Sequence, residues 1–235
     1  MGISFDPAFF LYELQVAFSY LPVVAVLSVI PLAGGVLIGT VLALCRIYRI
    51  PVWQRFAQSY VVVLRSIPVL LQMFTAYFVV KAFYSIFGWE QNALNKLAIV
   101  VSVLTLDAAG VLSEGMRSAF LSVEKGQYEA GYSVGLTGLQ VVRWIVIPQS
   151  LPVAIPIVGS SFIGIIKGSA AAYLLGIIEM IQGTAMKTAG NYRYLEAYCA
   201  VALVYWGLTI LVERLTAAAE KGVRLHMKGG ISCSR

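Results

Sequence analysis

Asp107 interrupts an apolar stretch between Lys96 and Glu114. A carboxylate about half-way along a membrane span is costly to bury and marks a functional site. Facing a path through the membrane, it could attract an amino or guanidinium group of a transported solute. It could equally pair with Lys167 or hydrogen-bond a neighbouring helix. Gln72, just inside another apolar run, offers a donor and an acceptor suited to a zwitterion, or to an interhelical hydrogen bond. Lys167 and Ser169, at the end of a third run, complete the candidate polar lining. Glu114 and Arg117 stand three residues apart on one helix, so their side chains can pair.

Other chemistries lack their parts. The chain has one histidine, His226, and two aspartates, Asp6 and Asp107. No His-based triad or H-E-x-x-H metal site can be assembled from them inside a membrane. Asp6 lies in the N-terminal stretch, away from any partner role to Asp107 in an intramembrane protease. Cys45, Cys199 and Cys233 are odd in number and widely spaced, which reads as three unpaired thiols. There is no G-x-x-x-x-G-K-[ST] loop, so any use of ATP must come from another chain.

The elements that hold these residues are membrane helices. Of 235 residues 60% are apolar and 12% charged, against about 25% charged for a soluble domain. That balance excludes a soluble enzyme, a disordered chain and a nucleic-acid-binding domain. A bilayer core needs about 20 apolar residues in a helix. Five stretches qualify: 21–44, 69–87, 97–116, 145–166 and 195–215. The fold expected is all-α, with five transmembrane helices in a domain spanning 21–215, a tail at 1–20 and another at 216–235. Gly35 and Gly39 in the first span either allow close helix contact or are simply tolerated. Residues 168–194 are broken by glycines and Glu179, and read as a re-entrant or interfacial segment.

Five spans put the termini on opposite faces, and positive charge orients them. With the N-terminus outside, the inner segments hold Arg46, Arg49, Arg55, Arg65, Arg117, Lys125, Arg143, Arg214, Lys221, Arg224, Lys228 and Arg235, twelve in all. The outer segments hold Lys81, Lys96, Lys167, Lys187 and Arg193, which is five. The expectation is N-terminus outside and C-terminus inside. Residues 1–20 carry two acids and no Lys or Arg, unlike the basic start of a signal peptide. Arg65, before the second span, is expected to reach inner-leaflet phosphates, and Pro68 suits a first helical turn.

The longest inner loop, 117–144, contains a short amphipathic helix. Tyr128, Tyr132 and Leu136 fall at i, i+4 and i+8, and Gly135 is placed to end the helix. Such a helix could lie in the interface or dock into a groove on a soluble partner.

That loop resembles the EAA loop of ABC-transporter permeases. Glu129-Ala130-Gly131, three residues, Gly135, nine residues, Ile145, one residue and Ile147-Pro148 follow the family pattern of EAA, three residues, G, nine residues, I, one residue, LP. Gly131 replaces the second Ala and Ile147 replaces Leu. The flanks resemble the polar amino-acid uptake branch. Ser122 to Ala130 is similar to its "SVPKGQ-EAA" stretch, and Ser113 to Arg117 to its "AE-x-x-R". Arg65 to Gln72 resembles its "RGTPLLVQ", and Ile147 to Ser150 its "LPQA". Lys167-Gly168-Ser169-Ala170 stands where the branch often reads "KDTSL", so Asp and Thr are absent there. The resemblance covers about residues 20 to 215.

The resemblance implies a type I importer permease of the bacterial inner membrane. Its path would be shared with a second permease subunit, alike or different, embedded in membrane lipid. A separate ATP-binding subunit would carry ATP and Mg, with no cofactor on this chain, and an extracytoplasmic solute-binding protein would deliver a polar amino acid. Nucleic acid has no part in it. The coupling residues it implies are Gln127, Glu129, Ala130, Gly131, Gly135, Gln140 and Pro148. Glu129 is the expected contact to the ATPase, where a carboxylate near a helix start could meet an Arg. The other class in view is an ion-coupled carrier or channel subunit, which would have no use for a docking helix.

Overall fold

The structure is a computed structural model and describes residues 5–90 and 94–231. Every described element is helical. Cys233 and Arg235, counted above, lie outside the described residues.

The chain opens with α1 (Pro7–Ser19), where a tail was expected. Its start is well specified: the Asp6 carboxylate accepts from Ala8 N and Phe9 N at 3.0 and 3.3 Å, and Pro7 occupies the first turn. The first span, α2 (Leu21–Ile47), follows directly. A turn with Arg49 and Val52 at positive φ leads into α3 (Trp53–Ser66), a strongly amphipathic helix not foreseen from composition. Then come α4 (Val69–Ile86) and α5 (Lys96–Leu121), whose first turn is capped by Asn95.

Two short helices, α6 (Lys125–Ser133) and α7 (Gly138–Val141), form the connecting loop. A π-helical turn over Val142–Val146 then feeds α8 (Ile147–Ser169). The 168–194 segment is a 3-10 turn over Ala170–Leu175, a left-handed Gly176 and α9 (Met180–Thr188). Finally α10 (Tyr194–Ile231) runs well past 215, where a tail was expected. Among the described residues, five stretches are long and apolar enough to cross a membrane: Leu21–Ile47, Val69–Ile86, Lys96–Leu121, Gly138–Leu175 and Tyr194–Leu225.

The centre of the bundle is the α2–α5 contact, the most extensive pairing among the described helices. Among membrane spans apolar burial supplies little association energy, so close backbone approach must do it. A Cβ on Gly35 would sit 2.7 Å from the Ala108 Cβ, and one on Gly39 would sit 3.0 Å from Ser113 N. The Gly35/Gly39 spacing is therefore a contact surface. Around it α5 buries Leu112, Met116 and Phe120 against Val141, Val146 and Ala154 of the α7–α8 limb.

Helix α5 also serves as a depth gauge. At 1.5 Å per residue, Lys96 and Arg117 are about 31 Å apart, close to the thickness of a bilayer core. Leu106 and Asp107 then lie near the midplane. Helix α3 lies along this gauge: Tyr60 Oη donates to Leu106 O at 2.8 Å, and Leu64 Cβ is 3.5 Å from where a Cβ on Gly110 would be. The last turn of α3, with Arg65, is thus near mid-depth. The sequence expectation put Arg65 at the entry to the second span, reaching inner-leaflet phosphates; sequence distance hid the contact that the α3–α5 pairing creates with Gly110.

Candidate functional site

The loop end of the bundle presents a small helix held on three sides. Tyr128 Oη donates to Phe120 O at 3.0 Å, using one of the free carbonyls at the end of α5. Gln149 Nε2, in the first turn of α8, donates to Gln127 Oε1 at 2.9 Å. Gly131 is buried, and a Cβ there would come within 2.8 Å of Ile145 Cδ1 and 2.9 Å of Val141 Cγ2. The departure from the second Ala of the EAA pattern thus matches a tight fit of α6 onto its own limb.

Gly135 sits at φ +84, where a side chain would strain the backbone, and lets the chain reverse after α6. Its N–H bonds Tyr132 O at 3.0 Å, and Leu136 N bonds Gly131 O at 3.2 Å. Gln140 is turned inward: its Oε1 accepts from Thr137 N at 2.8 Å and fixes the start of α7. Pro148, exposed in the first turn of α8, follows the π-helical turn, whose wider ring accommodates a residue without an N–H. On the other side, Glu129 and Ala130 are exposed, and Glu129 makes no ion pair among the described residues.

Just inside this end, Glu114 pairs with Arg117 as expected, and Arg46 of α2 joins them with Nη1 2.7 Å from Glu114 Oε2. One carboxylate thus ties α2 to α5. Tyr48, beyond the end of α2 and only partly covered, is pushed up to about 12 by partial loss of solvation and by the nearby Tyr132 and Tyr128 hydroxyls, so it stays protonated at any ordinary pH.

The second region lies at mid-depth. The chain between α3 and α4 is extended at Ile67 (φ −101, ψ 125), because the residue before a proline avoids the helical region. The Gln72 amide bridges the break. Its Nε2 lies 2.9 Å from Leu64 O, 2.8 Å from Ile67 O and 2.8 Å from Asp107 Oδ1. With two hydrogens for three acceptors, the amide must share one. Gln72 and Asp107 are therefore one unit. Of the alternatives for Asp107, a bond to a neighbouring helix is present and a pair with Lys167 is absent. Lys167 is exposed, and Ser169 is buried with its hydroxyl on Ile166 O at 2.8 Å, so neither joins the unit.

Beside Asp107 opens a cavity of about 360 Å³, lined also by Val69, Leu104, Ser160, Ser161, Gly164 and Gly168. Its edges include the first residue of α4, where backbone N–H groups have no helical partner. A carboxylate, two serine hydroxyls and a helix N-terminus around an apolar pocket suit a small molecule carrying both charges.

Two buried acids, near opposite ends of α9, escaped the sequence. Glu13 of α1 and Glu179, before α9, are both fully buried. Glu13 Oε1 is 3.3 Å from the Thr188 hydroxyl; Glu179 accepts from Gln182 N at 3.0 Å and from Tyr205 Oη at 3.3 Å. The only signal available was an acid standing three residues before Gln182, the spacing of a helix cap.

Residues 35–225 match the family described as "Binding-protein-dependent transport system inner membrane component". The chain belongs to that family of permeases. The permease is 34% identical to the probable amino-acid permease protein YxeN of Bacillus subtilis, over 86% of this chain and 89% of that one. It is 33% identical to the L-cystine transport system permease protein TcyL of the same organism, over 88% of this chain and 86% of that one. Among solved structures it resembles an amino acid ABC transporter with histidines, with a TM-score of 0.80 and 26% identity, over 93% of this chain and 99% of that one. Membership sets aside the ion-coupled carrier.

Proposed function

We propose that this permease is the membrane-spanning subunit of an ATP-driven importer for polar amino acids in a bacterial inner membrane. A separate ABC subunit binds and hydrolyses ATP with Mg, an extracytoplasmic binding protein delivers the solute, and a second permease, alike or different, completes the path. The N-terminus lies outside and the C-terminus inside. Without Arg65, the charge count is eleven inside against five outside, which supports this orientation.

The observation that carries this reading is the clamping of α6. Tyr128 holds it to α5, Gln127 to α8 and Gly131 to the α7–α8 limb, while Glu129 and Ala130 stay exposed. A force applied to that exposed face passes directly into two membrane helices. ATPase closure would move α5 and α8 against each other and so switch the path between its two openings. Within the path, Asp107 supplies the countercharge for the substrate's amino group, positioned by Gln72.

The test is reconstitution with the ATPase and binding protein. Glu129→Arg should lower binding-protein-stimulated ATP hydrolysis about tenfold, or about 1.4 kcal/mol of coupling, with insertion and complex size unchanged. Undiminished stimulation would remove Glu129 from the docking contact.

A further inference from the structure

We propose that Arg65 is a substrate-binding residue that receives the α-carboxylate of the transported amino acid. The inference rests on the reading of this chain as an amino-acid permease and names a partner charge for Asp107.

Depth is the first argument. Arg65 Cγ lies 3.9 Å from where a Cβ on Gly110 would be. On the α5 gauge Gly110 is about 21 Å from Lys96 and about 10 Å from Arg117. The bonds beyond Cγ are too few to bring the guanidinium to the Arg117 level. Arg65 therefore holds its charge inside the bilayer core. Among the described residues it makes no ion pair, and it is exposed on the isolated subunit. An unpaired guanidinium against lipid tails at that depth is costly, and a water-filled path or a charged partner relieves that cost.

Placement is the second argument. Asp107 and Gly110 are i and i+3 on α5, so the acid and Arg65 lie on one face, about 4.5 Å apart along the helix axis. They do not pair with each other within 4 Å. Leu64 O, on the residue before Arg65, is bonded by the same Gln72 amide that bonds Asp107. The two opposite charges are thus set on one scaffold and left apart, which is the arrangement a zwitterion can bridge. Guanidinium offers a planar fork that matches a carboxylate with two parallel hydrogen bonds, which an ammonium cannot.

The experiment has two arms. In the first, Cys45, Cys199 and Cys233 are replaced by Ser and Arg65→Cys is introduced into the permease–ATPase complex in membranes. A negatively charged, water-soluble thiol reagent should label position 65; no labelling would place it against lipid or a tight protein contact and overturn the proposal. In the second, uptake of L-histidine, L-glutamine and L-cystine is compared with uptake of their α-carboxamides. Arg65→Gln should reduce the preference for acid over amide at least tenfold, and Arg65→Lys should keep part of it. Equal losses for acids and amides would reduce Arg65 to a structural residue and overturn the proposal. If the wild-type complex moves none of these amino acids with ATP, the reading of the permease itself fails. Arg65 is then judged by the labelling arm, where an unlabelled position still refutes it.

Discussion

The α6 end and the mid-depth site are built in opposite ways. Helix α6 is held mostly locally: apart from Tyr48, the residues named as its partners lie between Phe120 and Gln149. The mid-depth site is assembled from distant parts, with Gln72 on α4, Asp107 on α5, Ser160 and Ser161 on α8 and Arg65 on α3. On the proposed reading, the local region would transmit force and tolerate little displacement. The distributed region must let helices shift, and its polar groups are few and shared.

Perturbations should separate the two. The largest effect is expected from Gly131→Leu, which cannot be placed without displacing Val141 or Ile145. Coupled ATP hydrolysis should fall about a hundredfold, about 2.7 kcal/mol, while substrate binding to the complex persists. A loss of binding equal to the loss of coupling would erase the distinction between the regions. Asp107→Asn keeps the Gln72 contact and removes the charge. Uptake of an amino acid should drop about tenfold, and that of its analogue lacking the α-amino group much less. Equal losses would discard the countercharge role. The smallest effect is expected from Tyr128→Phe, which removes one hydrogen bond to Phe120 O. It should weaken coupling by about 1 kcal/mol, roughly fivefold, with substrate selectivity unchanged. A change in selectivity would mean that the loop shapes the path directly.

The same contrast decides what the sequence discloses. Apolar runs of span length mark the spans because lipid imposes their composition, and α2, α4 and α5 begin within a residue of the expected starts. The docking helix is visible because its determinants are consecutive: Tyr128 and Tyr132 one turn apart, Gly135 as the stop, and the EAA spacing around them. Helix α1 carried its own signal in Asp6-Pro7, a cap followed by a first-turn proline, but a short helix before a long apolar run reads as a tail. Helix α3 has charge at Arg55 and Arg65, which favours a loop reading until its contact with Leu106 and Gly110 is known. Gln72 and Asp107 were each singled out, yet their union needs a pairing 35 residues apart. Lys167 and Ser169 were singled out because they stand where the branch reads "KDTSL", and neither joins that union.

Site-directed crosslinking tests the central claim most directly. Single cysteines placed at each position from Gln127 to Leu139, in a background without native cysteines, would carry a short crosslinker in cells that are importing substrate. The exposed positions Glu129 and Ala130 should capture the ABC ATPase, and buried Gly131 should not. Failure of every position to capture it while uptake proceeds would contradict the docking role of α6.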